Sequence, residues 1–221
     1  MAHGVLAAVV QVRDGRLQAL LWQRAQEPFE GAWALPGGSL ADDETLEESI
    51  LRHLAQKVDV RGVSHLEQLE TRSEPDRNPL RRELVTAYLG LVPAGVDPAV
   101  PDDTRWHPFD LLPELAFDHG PILLAARARL RAKLSYTNLG FALAPPTFTI
   151  ADLRDLYTAA LGHPVSATNL QRVLLRRGLL EETGEHRHYG GGGGRPAALY
   201  RFRSRRLRIT DQFAVLRPPA V

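Results

Sequence analysis

Along the first part of the chain, hydrophobic positions alternate between runs suited to strands and spacings suited to helices. Val5 to Val12 is rich in β-branched residues and reads as a strand. Asp14-Gly15 is a dipeptide favoured in two-residue hairpin turns, and Leu17 to Trp22 supplies the returning strand. Trp33-Ala34-Leu35-Pro36-Gly37-Gly38 passes from strand to loop. Asp43 is placed to cap a helix from about Glu44 to Lys57, with Leu46, Ile50, Leu51 and Leu54 turned inward. A further strand is expected from Val85 to Leu91, and a helix across 121–134, where Ile122, Leu123, Ala126, Leu130 and Leu134 recur at helical spacing. Strands and helices interleave, so the class is mixed α/β.

Paired prolines follow Leu143-Ala144 at Pro145-Pro146, where helix cannot continue. They mark a linker, and the chain reads as two domains, 1–144 and 145–221. Beyond it, Thr149 caps a helix with Ile150, Leu153, Leu156 and Tyr157 inward, ended by Gly162-His163-Pro164. Ser166 caps a second helix, Ala167 to Arg177, closed by Gly178, with Leu170, Val173 and Leu174 as its apolar side. Leu179 to Glu182 and Ala198 to Arg203 suggest two strands of a hairpin, joined through the glycine run 190–194.

Composition narrows the function classes. With 44% hydrophobic and 24% charged residues in 221, the chain buries a real core and is not a disordered or fibrous protein. It has no cysteine, which excludes a disulfide framework, a thiolate nucleophile and a Cys-ligated zinc, and suits a cytoplasmic protein. No basic N-terminal stretch of a signal peptide is apparent, and no apolar run reaches a membrane span, so no membrane partner is expected. The formal charge of +1 conceals an asymmetry. Residues 1–145 carry 15 Lys/Arg against 20 Asp/Glu, whereas residues 146–221 carry 12 against 6. A basic second part fits an anionic partner such as DNA, or a solvated surface.

Gly38, Glu44, Arg52, Leu54 and Val60 stand at the spacings of a Nudix box, between a strand-loop and a helix. The sequence resembles that family here, and the resemblance implies the Nudix α/β fold. It does not imply the chemistry. The family's Arg-Glu is Arg52-His53, its Glu-Glu is Gln56-Lys57, and its glycine is Asp59. A hard divalent cation needs anionic oxygens, and His53, Gln56 and Lys57 offer none. Glu44, Glu47 and Glu48 remain, and Glu48 with Arg52 has the spacing of an ion pair along a helix face. No catalytic residue, metal site or cofactor is therefore expected. Lys57 lies one turn beyond His53, so these donors either hold a pyrophosphate without metal or stand at a site that has drifted.

Segments 67–71, 76–82, 87–89, 106–108 and 115–119 resemble Nudix proteins related to ADP-ribose pyrophosphatases. A dinucleotide-like diphosphate calls for guanidinium forks and an aromatic surface, and Arg24, Arg77 and Phe117 are suppliers of the right type. With Arg52 and Lys57 they form the expected effector site. His119 either caps the helix after it or packs; it has no partners for a metal.

In the second domain, Thr168, Asn169, Gln171, Arg172 and Arg176 occupy the polar side of the second helix. Asn and Gln suit adenine edges and Arg suits guanine, so this helix reads as a recognition helix in a helix-turn-helix. The glycine-rich loop reads as a wing, with Arg195 able to enter a minor groove. His186 and His188 read as solvated loop residues. Phe148 to Leu153, Asn169-Leu170-Gln171-Arg172 and Gly194-Arg195-Pro196-Ala197-Ala198-Leu199-Tyr200 resemble the NrtR family of Nudix-related regulators of NAD metabolism. Leu170 departs from the family's usual Phe, and the glycine run differs in length. The resemblance implies a cytoplasmic, homodimeric winged-helix repressor on a palindromic operator, with ADP-ribose or a related nucleotide as effector. The alternative is an ADP-ribose pyrophosphatase carrying an accessory DNA-binding domain.

Overall fold

The first strand, β1 (Ala2–Arg13), is buried almost throughout because it has neighbours on both edges. The computed structural model that shows this describes residues 2–188 and 196–211. β1 runs parallel to β6 (Glu83–Leu91), from Ala2 opposite Glu83 to Val10 opposite Leu91. Its other edge is shared antiparallel. Gly4 to Leu6 pair with β4 (Gly37–Ser39), and Val10 to Arg13 pair with β2 (Arg16–Gln23). Asp14 and Gly15 make the connecting turn with φ of 49° and 70°, the left-handed pair that a tight hairpin demands. β3 (Trp33–Ala34) and β7 (Thr104–Pro108) pair with β2, and β5 (His65–Arg72) pairs with β6. The seven strands form one mixed sheet, as the expected α/β class requires.

α1 (Leu46–Lys57) packs on this sheet through Ile50 and Leu54, which join Val5, Ala7, Val9, Leu20 and Tyr88 in the core. Its cap is Thr45, not Asp43. Thr45 accepts from the Glu48 amide while the Glu48 carboxylate accepts from the Thr45 amide, so two orphan donors are satisfied at once. Leu51, expected inward, is 43% exposed. The inner face is Ser49, Ile50, His53 and Leu54, and the next position lies about 100° round the helix. The long α2 (His119–Tyr136) buries Ile122, Leu123, Ala126, Leu130 and Leu134 as their spacing predicts.

The chain divides into two compact units. One is the chain through Val92 together with Val96–Arg129; the other is Pro93–Gly95 with everything from Leu130 onward. The division falls before the 144/145 boundary expected from the prolines. Leu139, Phe141, Leu143 and Ala144 are fully buried, and Asn138 bonds to the carbonyls of Ser204 and Arg206, so this stretch is built into the second unit.

Within the second unit, α3 (Ile150–Leu161) starts at a Thr149/Asp152 capping box and ends at left-handed Gly162. It buries Leu153, Leu156, Tyr157 and Ala160, while Ile150 is only half-buried. α4 (Ala167–Arg176) is capped by Ser166, buries Leu170 and Leu174, and leaves Val173 half-buried. β8 (Leu180–Arg187) and β9 (Ala197–Phe202) then form an antiparallel hairpin. Phe148 extends it through reciprocal bonds to Tyr200, 2.8 and 3.0 Å. Two helices followed by a hairpin make the winged helix that the sequence suggests.

Candidate functional site

A cavity of about 480 Å³ opens in the first unit beside β4 and α1. Arg24, Lys57, Arg77 and Phe117 all line it, as do Trp22 and His119. Gly37 and Gly38 form one wall, and neither tolerates a side chain. A Cβ on Gly37 would lie 2.0 Å from the Val5 carbonyl oxygen, and one on Gly38 would lie 2.4 Å from the His53 ring.

The Lys57 ammonium donates to the Gly37 carbonyl at 2.8 Å and sits 4.7 Å from the centre of the Trp22 ring. Burial pushes its pKa down, and repulsion from the Arg24 and Arg52 guanidiniums adds to the effect. Arg24 donates only to carbonyls, those of Pro28 (2.8 Å) and Gln26 (3.2 Å), and its guanidinium covers the Phe117 ring at 4.8 Å. Burial lowers its pKa too. Neither cation has a carboxylate within ion-pair distance among the described residues. The two like charges repel each other across the cavity; Glu27 and Glu83, which also line it, offset part of this at Arg24, and an entering anion would offset more.

Arg77 lines the cavity but is already engaged. Its side chain is 3% exposed and clamps Asp118, Nη2 to Oδ1 2.7 Å and Nε to Oδ2 3.3 Å, with Glu83 at 3.7 Å. It is a wall of the site rather than a free donor. Arg52, expected among the effector contacts, does not line the cavity. It turns to Glu44, Nε to Oε2 2.8 Å and Nη2 to Oε1 2.5 Å. The helix-face pair with Glu48 does not form, because Glu48 is spent on the Thr45 cap.

His53 is buried and neutral in character. Burial lowers its pKa, and Nε2 lies 3.0 Å from the Ser39 carbonyl oxygen while Nδ1 has no partner. His119 was not singled out as a ligand contact by its sequence position. It is 3% exposed, and its Nδ1 accepts the Leu35 amide at 3.0 Å, so the neutral ring carries its proton on Nε2. Among the described residues no group of three or more His, Asp or Glu side chains could hold a metal ion.

On α4, Thr168, Asn169, Arg172 and Arg176 are exposed, as a reading face requires. Arg172 Nη2 donates to Asn169 Oδ1 at 2.7 Å. Gln171 is different. It is half-buried and donates to the Tyr200 hydroxyl at 3.1 Å. Arg195 and the glycine run 190–194 lie outside the described residues. His186 and His188 are exposed, His186 within β8 and His188 just beyond it.

Both units match known domain families, the NUDIX domain over residues 2–126 and the NrtR DNA-binding winged helix domain over residues 140–202. The chain is 34% identical over 202 residues to the ADPR responsive transcriptional repressor NtrR of Acinetobacter baylyi, covering 88% of this chain and 79% of that protein. The chain belongs to the NrtR family. Among solved members, Shewanella oneidensis NrtR complexed with a 27mer DNA is 34% identical and superposes with a TM-score of 0.77, covering 90% of this chain and 93% of that one. The NUDIX domain of the same NrtR, complexed with ADP ribose, is 33% identical with a TM-score of 0.51, covering 58% and 87%. For an NrtR-family regulator, the two features just described have natural places, a ligand cavity in the Nudix unit and a reading helix in the winged unit. No helix among the described residues is long and apolar enough to cross a membrane.

Proposed function

We propose that this chain is a cytoplasmic transcriptional repressor that binds double-stranded DNA through α4 and its hairpin and releases it when ADP-ribose occupies the Nudix cavity. NAD biosynthesis or salvage genes are its targets, and it acts as a homodimer on a palindromic operator. The observation that carries the effector assignment is the pair Arg24 and Lys57, two cations without carboxylate partners on one cavity with aromatic surface beside them. That is the complement of a diphosphate bearing nucleoside groups. The relatives' DNA and ADP-ribose complexes support the same reading.

The Nudix unit is a sensor and not a hydrolase. Magnesium chemistry needs a cluster of carboxylates at the box helix, and of those that remain Glu44 is held by Arg52 and Glu48 by the helix cap, which leaves Glu47. Lys57 places a positive charge where the family would gather a cation. The decisive experiment is a DNA-binding titration on promoters of NAD biosynthesis and salvage genes, with and without ADP-ribose. The reading requires saturable, sequence-specific binding that ADP-ribose weakens.

A further inference from the structure

Two of the sequence segments that carry the winged-helix resemblance, around Gln171 and around Tyr200, are joined through the Tyr200 hydroxyl. Gln171 Nε2 donates to Tyr200 Oη at 3.1 Å, and Tyr200 Oη donates to Glu182 Oε1 at 2.8 Å. Tyr200 is buried, at 7% exposure, while Gln171 is half-buried and Glu182 is exposed. The backbone of Tyr200 is bridged to that of Phe148, which fixes where its side chain leaves the strand. Gln171 thus sits on the flank of α4 nearest the hairpin, while Asn169 and Arg172 on the exposed face bond to each other.

We infer that Gln171 is a positioning residue rather than a base reader. Through Tyr200 and Glu182 it sets the roll of α4 against β8 and β9, so that the Asn169–Arg172 pair and the hairpin meet DNA as one rigid surface. Leu170 and Leu174 are the buried side chains of α4, and Arg177 ties its C-terminal end to Ser135 and Asp211, which leaves the middle of the helix some freedom to shift on non-directional apolar contacts. A directed hydrogen bond off the apolar stripe removes that freedom. The hairpin is tied down at two further points, Arg201 to Glu181 at 2.6 Å and Arg187 to Asp152, at the start of α3, at 2.6 Å. β8 is therefore fixed to α3, α4 and β9 together. The bond to Tyr200 takes one of the two Nε2 hydrogens and holds the half-buried amide against the hairpin, whereas Asn169 and Arg172 stand exposed.

This inference rests on the DNA-binding reading, and one experiment separates their fates. Wild-type protein selects its preferred site from a random DNA pool, and affinities are then measured for that site and for every single-base-pair variant of it. Failure of the wild type to enrich any site overturns the DNA-binding reading, and the inference with it. Given an enriched site, Gln171→Ala and Tyr200→Phe each lower affinity by about fivefold, the scale of one hydrogen bond. They do so equally across the whole panel, leaving the order of preference unchanged. The double substitution lowers affinity no further than Tyr200→Phe alone, because that variant already removes the Gln171 bond. Thermal midpoints and ADP-ribose affinity report that each variant is folded. Relaxed preference at one base pair in Gln171→Ala would make Gln171 a reader and overturn the inference. Unchanged affinity in both single variants would overturn it equally.

Discussion

Arg52 closes on Glu44 through two hydrogen bonds, 2.8 Å and 2.5 Å, and in doing so ties the box's arginine to its first carboxylate. The Arg52 bond and the Ala41 amide together hold the Glu44 carboxyl down to about 2. A carboxylate so occupied is a poor metal ligand, and His53, Gln56 and Lys57 supply no replacement. ADP-ribose turnover is expected at background with magnesium or manganese. Metal-dependent release of AMP, lost on Glu44→Gln, would contradict this. The pair also has a pH signature. Its stabilisation is complete above the ordinary glutamate range near 4.5 and is lost as pH falls toward 2. Arg52→Ala should therefore lower stability at neutral pH and flatten the fall in stability between those two values.

ADP-ribose binding is expected to survive excess chelator, because protein cations hold the diphosphate. The cavity geometry ranks the substitutions. Lys57→Glu and Arg24→Ala each remove a cation without a carboxylate partner and should weaken binding by about tenfold or more, with Lys57→Glu adding repulsion. Arg52→Ala should change affinity little, since Arg52 faces Glu44 and not the cavity. Salt should weaken the wild type. Isothermal titration of the four proteins at two salt concentrations tests the ranking, and an Arg52→Ala loss as large as that of Lys57→Glu would refute it.

His119 predicts a pH dependence of stability. Burial pushes its pKa down to about 3, with Asp118 opposing and Arg77 and Arg24 reinforcing the shift. The unfolded chain takes up this proton near pH 6.5, the folded chain does not until about pH 3, and so stability falls as pH drops through that interval. One such proton contributes a slope of up to about 1.4 kcal/mol per pH unit. Urea unfolding of wild type and His119→Gln between pH 7 and 5 measures it. Parallel slopes in the two proteins would show that His119 titrates normally.

How much of this was legible beforehand follows from where each signal resides. β1, β2 and β6 show in the sequence as near-continuous apolar runs, and the four helices because burial imposes a period of about 3.6 on their residues. β5 and β7 do not: of β5 only Leu69 is buried, of β7 only Thr104, and both earn their strand geometry by pairing with β6 and β2. Arg24, Lys57 and Phe117 were identifiable from residue type and from the resemblance, and the cavity gathers them. Arg52, Arg77 and Gln171 carry the right chemistry, but their donors are taken by Glu44, Asp118 and Tyr200. His119 owes its tautomer to an amide 84 positions away in sequence, which no local pattern can reveal.

Reading of DNA by α4 is expected to be cooperative within one pair. Asn169 Oδ1 accepts from Arg172 Nη2 at 2.7 Å, so each side chain orients the other before DNA arrives. Asn169→Ala and Arg172→Ala should each reduce discrimination among single-base variants by about 1–3 kcal/mol. Their effects should not add, as is usual for residues in direct contact. A double-mutant cycle on the operator measures the coupling. Additive losses would show two independent readers.

The last expectation concerns the linkage between effector and operator. ADP-ribose can release DNA only if it binds more tightly to the conformation that fits the operator poorly, because a ligand shifts an equilibrium solely through differential affinity. Thermodynamic reciprocity then fixes the converse: operator DNA must weaken ADP-ribose binding by the same factor. A tenfold loss of operator affinity at saturating ADP-ribose corresponds to about 1.4 kcal/mol of coupling, and the same figure must appear in the reverse titration. Lys57→Glu supplies the control. It should need higher ADP-ribose concentrations to release DNA while leaving operator affinity in the absence of effector unchanged, since Lys57 belongs to the first unit and α4 to the second. Calorimetry of ADP-ribose binding with and without operator DNA checks both directions. Equal affinities in the two titrations would reject the effector mechanism even where binding itself is tight.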